Sequence, residues 1–342
     1  MTTLVTGATG FLGSHVARLL AERGEVVRVL ARPSSDRRAL AGLNAEVAAG
    51  DLRDAQSLGA ALAGVRRVYH VAADYRLWAR DPQEIYDSNV GGTRNLLEAA
   101  ARAGCERFVY TSTVATIAVH RAGQGKDGLP DERIATRLDE MIGHYKRSKW
   151  LAEQEAVQAA ARGVPVVIVN PTAPVGPGDW KPTPTGRVIV DFLAGKMPAF
   201  VDTGLNLVGV EDCAAGHLLA AEKGKIGERY ILGARNMTLE EILRTLARIS
   251  GLPAPRFRLP HAVAYVAACV DTLFSRAFGR APRIPLDGVR MARHRMWVDA
   301  GRAVQELGFS PAPPEDALAR AVRWYQANGF VPQARRGAGA AA

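Results

Sequence analysis

Tyr145 and Lys149 stand four residues apart in the run His144-Tyr-Lys-Arg-Ser-Lys149, downstream of a run of hydroxyl-bearing residues, Tyr110-Thr-Ser-Thr113. On a helix, residues i and i+4 share a face, so the lysine ammonium would lie beside a phenol whose ordinary pKa is about 10 and would favour its phenolate form. That pair is a tuned acid/base. A hydroxyl at the end of the preceding strand would hold the reacting oxygen against Tyr145, and both Thr113 and Ser112 are placed to do so.

The partner chemistry is written at the amino end. Leu4-Val5-Thr6 runs into Gly7-Ala8-Thr9-Gly10-Phe11-Leu12-Gly13, followed by Ser14 to Arg23 at helical spacing. Strand, glycine turn and helix in this order cradle a pyrophosphate on backbone amides at a helix N-terminus. Gly7 permits the tight turn, Gly10 the close backbone approach and Gly13 the packing of helix on sheet, with Thr9, Phe11 and Leu12 completing the expected cradle. The spacing is G-x-x-G-x-x-G. After the second strand, where an NAD site usually carries a carboxylate for the ribose 2′-hydroxyl, the sequence has Arg32, followed by Pro33-Ser-Ser-Asp-Arg37. A guanidinium there can clamp a 2′-phosphate, so NADP(H) is favoured and NAD(H) remains open; the competing reading is a solvated loop arginine. Asp51, with Leu52, follows the third strand and is either an adenine contact or the N-cap of the next helix. The dinucleotide would move the hydride and the Tyr145 group the proton.

These residues need a frame that holds them. Short apolar runs bounded by Gly or Asp predict strands at Thr3–Thr6, Val26–Leu30, Glu46–Ala49, Arg67–Val71, Phe108–Thr111 and Val164–Asn170. Between them, helical periodicity predicts helices at Phe11–Arg23, Ala55–Leu62, Glu84–Ala103 and Gly143–Ala161. The alternation implies an α/β fold with a doubly wound parallel sheet of Rossmann type over residues 1–170. Past Pro171 a Pro/Gly-rich stretch opens a smaller mixed substrate lobe, residues 171–330, interleaved with the core and carrying helices near Leu239–Ile249, Ala262–Phe274 and Glu315–Asn328. Residues 331–342 read as a flexible tail.

Composition narrows the class. An apolar fraction of 48% with 23% charged residues is globular, and excludes disordered, collagenous and coiled-coil chains. The net charge of +10 is almost all arginine, since only seven of the 44 basic residues are lysine; this suits phosphate-bearing partners or an anionic surface, with no nucleic-acid motif. Cys105, Cys213 and Cys269 form no CxxC pair, which indicates neither a disulfide framework nor a metal site and points to a cytoplasmic setting. No signal peptide or membrane span is read, as the apolar stretch Ala262–Val270 is far short of the ~20 residues needed to cross a bilayer.

Taken together, the glycine fingerprint, the hydroxyl-bearing strand end and Tyr145-x-x-x-Lys149 resemble the extended short-chain dehydrogenase/reductase family along nearly the whole chain. Val71-Ala-Ala-Asp-Tyr-Arg-Leu-Trp78, Asp139 to Lys149, Lys181-Pro-Thr-Pro-Thr-Gly186 and Asp202-Thr-Gly-Leu-Asn-Leu207 look like the hopanoid-associated sugar epimerases, a branch similar to dihydroflavonol 4-reductases. The resemblance implies Tyr145 as acid/base, Lys149 as the ribose contact that lowers the tyrosine pKa, and Thr113 in the place usually held by serine, with Ser112 as the adjacent alternative. It further implies that Ala72 and Ala73 border the cofactor, that Thr111, Pro171 and Thr172 lie near it, and that Asn89 supports the site. A homodimer pairing two helices per subunit is also implied, and the alanine-rich stripes of Glu84–Ala103 and Gly143–Ala161 suit it.

Asp74, Tyr75 and Lys181 are candidate substrate contacts, against the alternative of a packed loop. His217, on the apolar face of a helix that Asp212 is placed to cap, reads as a core histidine rather than a catalyst. The substrate is expected to be a small molecule, sugar-like or a lipid-linked polyol, and the reaction either epimerisation or net ketone reduction. A non-catalytic NADP(H) sensor is the other class, disfavoured because a sensor has no need of a positioned phenol. Finally, the apolar helix Ala262–Phe274 with Arg276, Arg280 and Arg283 suggests peripheral contact with the inner face of an anionic membrane; an internal helix of the substrate lobe is the favoured reading of the same residues.

Overall fold

The computed structural model describes residues 2–118, 123–278 and 280–331, without the side chains of Arg276 and Ala277. The tail from 332 onward lies outside the described residues. In chain order the elements are β1 (Thr2–Thr6), α1 (Phe11–Glu22), β2 (Val26–Ala31), β3 (Glu46–Ala49), α2 (Ala55–Ala61), β4 (Val65–His70), α3 (Gln83–Tyr86), α4 (Gly92–Arg102), β5 (Arg107–Thr111), α5 (Gly143–Ala161) and β6 (Val166–Pro171). There follow β7 (Ala173–Val175), α6 (Pro184–Leu193), β8 (Ala199–Val201), β9 (Gly204–Gly209), α7 (Val210–Lys223), β10 (Arg229–Leu232), β11 (Arg235–Thr238), α8 (Leu239–Ser250), β12 (Phe257–Leu259), α9 (His261–Ala277), α10 (Leu286–Met291) and α11 (Pro314–Ala327).

The main sheet runs β10-β6-β5-β4-β1-β2-β3, and every pairing in it is parallel. Its strands are apolar on both faces because both are covered: Val5, Tyr69, Val109, Val167 and Val169 pack with α1 and α7, while Leu4, Val68, Phe108, Tyr110, Val166 and Ile168 pack with α2, α4 and α5. The chain reverses its direction of winding between β1 and β4, which opens a crevice at their carboxyl ends, where doubly wound sheets bind ligands.

Six strands were expected and the sheet has seven. β10 comes from the second half of the chain, next to β6, and its four residues are too short to show periodicity. α7, from the same half, covers the sheet beside α1. The remainder of that half forms the three-stranded sheet β11-β9-β7, the β12-β8 pair and a separate apolar cluster with α6, α8 and α11.

The helix expected over Glu84–Ala103 is one helical course with a change of pitch: α3 and α4 are joined by a π-type turn, Asp87–Gly91. Its alanines Ala99 and Ala100, like Ala152, Ala156 and Ala159 of α5, are buried against the chain's own sheet. Two expected caps also move. Asp54, not Asp51, accepts from Gln56 N at the start of α2, and α7 starts after Gly209 without a side-chain cap, while Asp212 accepts from Ala312 N at 3.1 Å. The favoured reading of the Ala262–Phe274 segment as an internal helix is overturned, because Val263, Val266, Val270, Leu273 and Phe274 of α9 are all exposed.

β1 and α1 approach so closely that a Cβ on Gly13 would lie 2.3 Å from the Gly7 carbonyl oxygen. Gly13→Ala should therefore destabilise the protein by about 1–3 kcal/mol, read as a lower thermal midpoint. An unshifted midpoint would show that the helix can back away from the strand.

Candidate active site

Gly7 ends β1 in the left-handed region (φ 75°), and a Cβ there would sit 2.6 Å from the amide nitrogen of Ala72, the residue that follows β4 and Val71. The two loops that flank the crevice thus touch through backbone alone. Gly10 N donates to Gly7 O at 2.9 Å, and Gly10, exposed, starts α1 with no side-chain cap. An uncapped, solvent-facing helix N-terminus behind a glycine turn fits a pyrophosphate, since its free amides point where an anion would lie. Thr9, Phe11 and Leu12 line this turn half-buried, with Phe11 edge-on to His15.

At the neighbouring strand ends, Arg32 is exposed and makes no ion pair among the described residues. Asp51, one strand over, accepts from Arg53 (Nη2 2.7 Å), whose hydrogen bonds hold its carboxyl below the ordinary range against burial, with Arg32's charge adding to the effect. Arg32 and Asp51 therefore stand at the same end of the crevice, and Leu52 packs beside Gly92 at the start of α4.

The expected proton-transfer group assembles in part. Tyr145, half-buried in the first turn of α5, has the side chain of Thr113, just past β5, beside its phenol. Ser112 points the other way: its hydroxyl donates to buried Glu153, which also receives Thr116 Oγ1 and Asn170 Nδ2 (both 2.9 Å) and pairs with Arg229 (3.3 Å). Of the two candidate hydroxyls, Thr113 is the one at the phenol. Thr111 turns its side chain inward to His217 Nε2 (3.1 Å), whose Nδ1 meets Cys213 O; His217 is a buried, satisfied core histidine held neutral, with its pKa pushed down to about 4.

Lys149 departs from expectation. Its Nζ reaches across to β5, donating to Tyr110 OH (3.0 Å) and Thr111 O (2.8 Å), and burial pushes its pKa down to about 7 against the opposing pull of Glu153. The Tyr145 phenol is pushed up by burial, countered by Thr113, and is not lowered by the lysine. Sharing a helix face sets the two side chains side by side; the lysine's length carries its charge to the acceptors on β5. Tyr110 leads onward to Thr93 beside it, which meets His70 Nε2 (3.0 Å); His70 Nδ1 meets Thr6 Oγ1 (2.7 Å), and this oxygen also accepts from Ala72 N. Burial, then the charge of Lys149, pushes His70 down to about 3, so the chain of hydrogen bonds is carried by a neutral ring. The sequence marked Tyr110 and Thr6 only as strand-end residues and gave no sign of Thr93 or His70, because their contacts join β1, β4, β5 and α4.

Asn89, 2% exposed, clamps the loop after β4 to α5: its Oδ1 accepts from Asp74 N (2.7 Å), and its Nδ2 donates to Asp74 O and Ser148 Oγ (both 2.9 Å). Along that loop Ala72 is half-buried and Ala73 exposed. The Asp74 carboxylate is engaged by Arg76. Tyr75 OH donates to Lys181 O (3.2 Å), which brings the two substrate candidates together through backbone and leaves the Lys181 side chain exposed. Pro171 closes β6, and the Thr172 hydroxyl donates to Leu232 O on β10. Among the described residues no group of His, Cys, Asp or Glu could hold a metal ion.

The description "NAD dependent epimerase/dehydratase family" matches residues 3–233. The chain belongs to that family of extended short-chain dehydrogenases/reductases. This epimerase/dehydratase-family chain is 47% identical over 331 residues to a Synechocystis protein named "Putative dihydroflavonol 4-reductase", covering 96% of this chain and 95% of the other. It is 40% identical to "Sterol demethylase protein B" of Methylococcus capsulatus, over 97% of this chain and all of that one. Among solved structures it is similar to a nucleoside-diphosphate-sugar epimerase from Pseudomonas aeruginosa, at 30% identity and a TM-score of 0.79, covering 97% and 99% of the two chains. Membership makes it an NAD-dependent oxidoreductase in the broad sense.

A lysine whose pKa is lowered in the fold binds fewer protons than the unfolded chain between about 7 and its ordinary value near 10.4, so stability rises with pH across that window. Lys146, lowered to about 8 by burial, adds to the same rise. Lys149→Met should remove the larger share of the rise between about pH 7 and 10, followed by thermal melts; an unchanged slope would mean the ammonium is not desolvated.

Proposed function

We propose that this chain is an NADP(H)-using oxidoreductase acting at an alcohol or ketone carbon of a sugar-like or lipid-linked polyol. The observation that carries the reading is the placement of Tyr145 beside the Thr113 side chain just past β5, in a fold whose glycine turn leads into an uncapped helix N-terminus. When bound, the dinucleotide supplies the hydride chemistry. In this reading Gly7, Thr9, Gly10, Phe11, Leu12 and Gly13 take its pyrophosphate, Arg32 its 2′-phosphate and Asp51 with Leu52 its adenine end. Ala72, Ala73, Thr111, Pro171 and Thr172 border it further along.

Tyr145 gives or takes the proton at the substrate oxygen, and Thr113 holds that oxygen against the phenol. Burial keeps Tyr145 protonated, which suits it to donate to a carbonyl oxygen. Lys149, fixed by Tyr110 OH and Thr111 O, is held at the floor of the site, where its charge meets the dinucleotide ribose. Asp74, Tyr75 and Lys181 face the substrate side. A homodimer in the cytoplasm, with its three cysteines free, belongs to the same proposal.

Net reduction is favoured by Arg32, because NADP(H) pools commonly drive reductions, and by the reductase name of the Synechocystis relative. Epimerisation, in which the cofactor is regenerated in each cycle, is the second reading, favoured by the sugar-epimerase neighbour and by the motif resemblance. A sensor would leave the Tyr145–Thr113 pair without a purpose.

Tyr145→Phe should bind dinucleotide normally and lose at least ~100-fold in turnover of any ketone that the wild type reduces, since it deletes the proton carrier and little else. Retained turnover would refute the role. Titrations should also show NADPH bound tighter than NADH, and Arg32→Asp should shrink that gap by at least about 1 kcal/mol; a wild-type preference for NADH would defeat the 2′-phosphate reading.

A further inference from the structure

α9 packs against α10 on one side and turns Val263, Val266, Val270, Leu273 and Phe274 to solvent on the other, each between 46% and 66% exposed. Steps of three and four residues place them along one strip of the helix, ~16 Å long. Phe278, stacked on Phe274 with ring centroids 6.4 Å apart, extends the strip, and Phe257 of β12 is a further exposed ring in the same segment. A monomeric soluble protein rarely leaves so continuous an apolar surface bare.

Its surroundings decide what covers it. Between residues 251 and 298 the sequence carries eight arginines and two aspartates, a net charge of +6 against +10 for the entire chain. Both aspartates are already engaged, Asp271 by Arg280 (3.0 Å) and Asp287 by Arg290 (3.3 Å). Arg256, Arg283 and Arg293 are exposed and form no ion pair among the described residues. A second copy laid on this face would bring two strongly positive segments together, and a nucleic acid would leave the valines and phenylalanines uncovered. An anionic lipid surface satisfies both halves of the patch: the apolar strip enters the acyl boundary while the guanidiniums meet lipid phosphates.

We propose that α9 seats the protein on the surface of an anionic membrane and that α10 joins this seat to the catalytic helix. The Asp287 carboxylate of α10 fills the space beside Gly143, the first residue of α5, where a Cβ would lie 2.6 Å from Asp287 Oδ2. Gly288 faces Leu77 in the loop that follows β4. The helix pair thus runs from the apolar strip to within two residues of Tyr145, and a substrate carried in the lipid phase meets the cleft from that side. The seat stands on its own geometry; only the class of substrate rests on the oxidoreductase reading.

Flotation of the full chain on a density gradient tests the seat without any turnover. With vesicles of phosphatidylcholine containing about 30% phosphatidylglycerol at about 50 mM salt, most of the protein should float, and at least ~5-fold less with pure phosphatidylcholine. Val266→Glu with Leu273→Glu should cut flotation at least ~10-fold while the thermal midpoint, dinucleotide affinity and solution mass stay unchanged. Failure of the wild type to float on anionic vesicles would overturn the proposal, as would equal flotation by the double variant, which would mean adsorption by net charge alone. A fall in solution mass caused by the double variant would equally overturn it, by showing that the face belongs to a subunit interface. Tyr145→Phe should float like the wild type, so failure of the seat and failure of the catalytic reading are told apart.

Discussion

The architecture of the site follows from one constraint: α5 carries two charged side chains into the interior, and both must find partners there. Lys149, 2% exposed, reaches Tyr110 OH and Thr111 O at the end of β5. Glu153, one turn on and 1% exposed, collects Ser112, Thr116, Asn170 and Arg229. An unpaired buried charge costs several kcal/mol, so these contacts fix both the rotation and the height of the helix against β5 and β6. Tyr145 lies one turn before Lys149 on the same face, and its placement beside Thr113 is a consequence of that anchoring. Tyr145 is fixed in position because two buried residues further along the helix hold it still.

The parts of this arrangement that depend on neighbours in sequence were legible. The glycine turn, the limits of α5 and the order of the first six strands all come from local spacing, and the helix Gly143–Ala161 was read to the residue. What depends on distant parts of the chain was not. The different settings of Ser112 and Thr113 turn on Glu153, which takes the Ser112 hydroxyl and is itself held by Asn170. The acceptors of the Lys149 ammonium were out of reach for the same reason, since Tyr110 OH and Thr111 O lie on another element. β10 was missed because four residues give no periodicity, and the outward face of α9 because an apolar stripe on a helix does not say which side of it the rest of the protein occupies.

The crevice itself is made by backbone rather than side chains. Gly7 against Ala72 and Gly13 against Gly7 bring β1, β4 and α1 within contact distance, and any side chain at either glycine would push the loops apart. His70 and Thr6 run beneath that contact and tie the β4 end to the β1 end, so the floor under Ala72 is continuous with the acceptors of Lys149. The glycine turn and the helix with the tyrosine are distant in sequence yet share one hydrogen-bonded base.

The π-type turn between α3 and α4 has a consequence of phase. An α-helix rotates by about 100° per residue, so one residue inserted into it would swing everything downstream off the sheet. Widening a single turn absorbs the extra residue, and Leu96, Leu97 and Ala100 keep their alignment with the core. The surplus is spent where Asn89 sits, and it aims an amide sideways into the gap between the Asp74 loop and Ser148. Removing one residue from Asp87–Gly91 would restore a regular helix and retract that amide, so a shorter chain here would be a better helix and a looser hinge between the cleft's two walls.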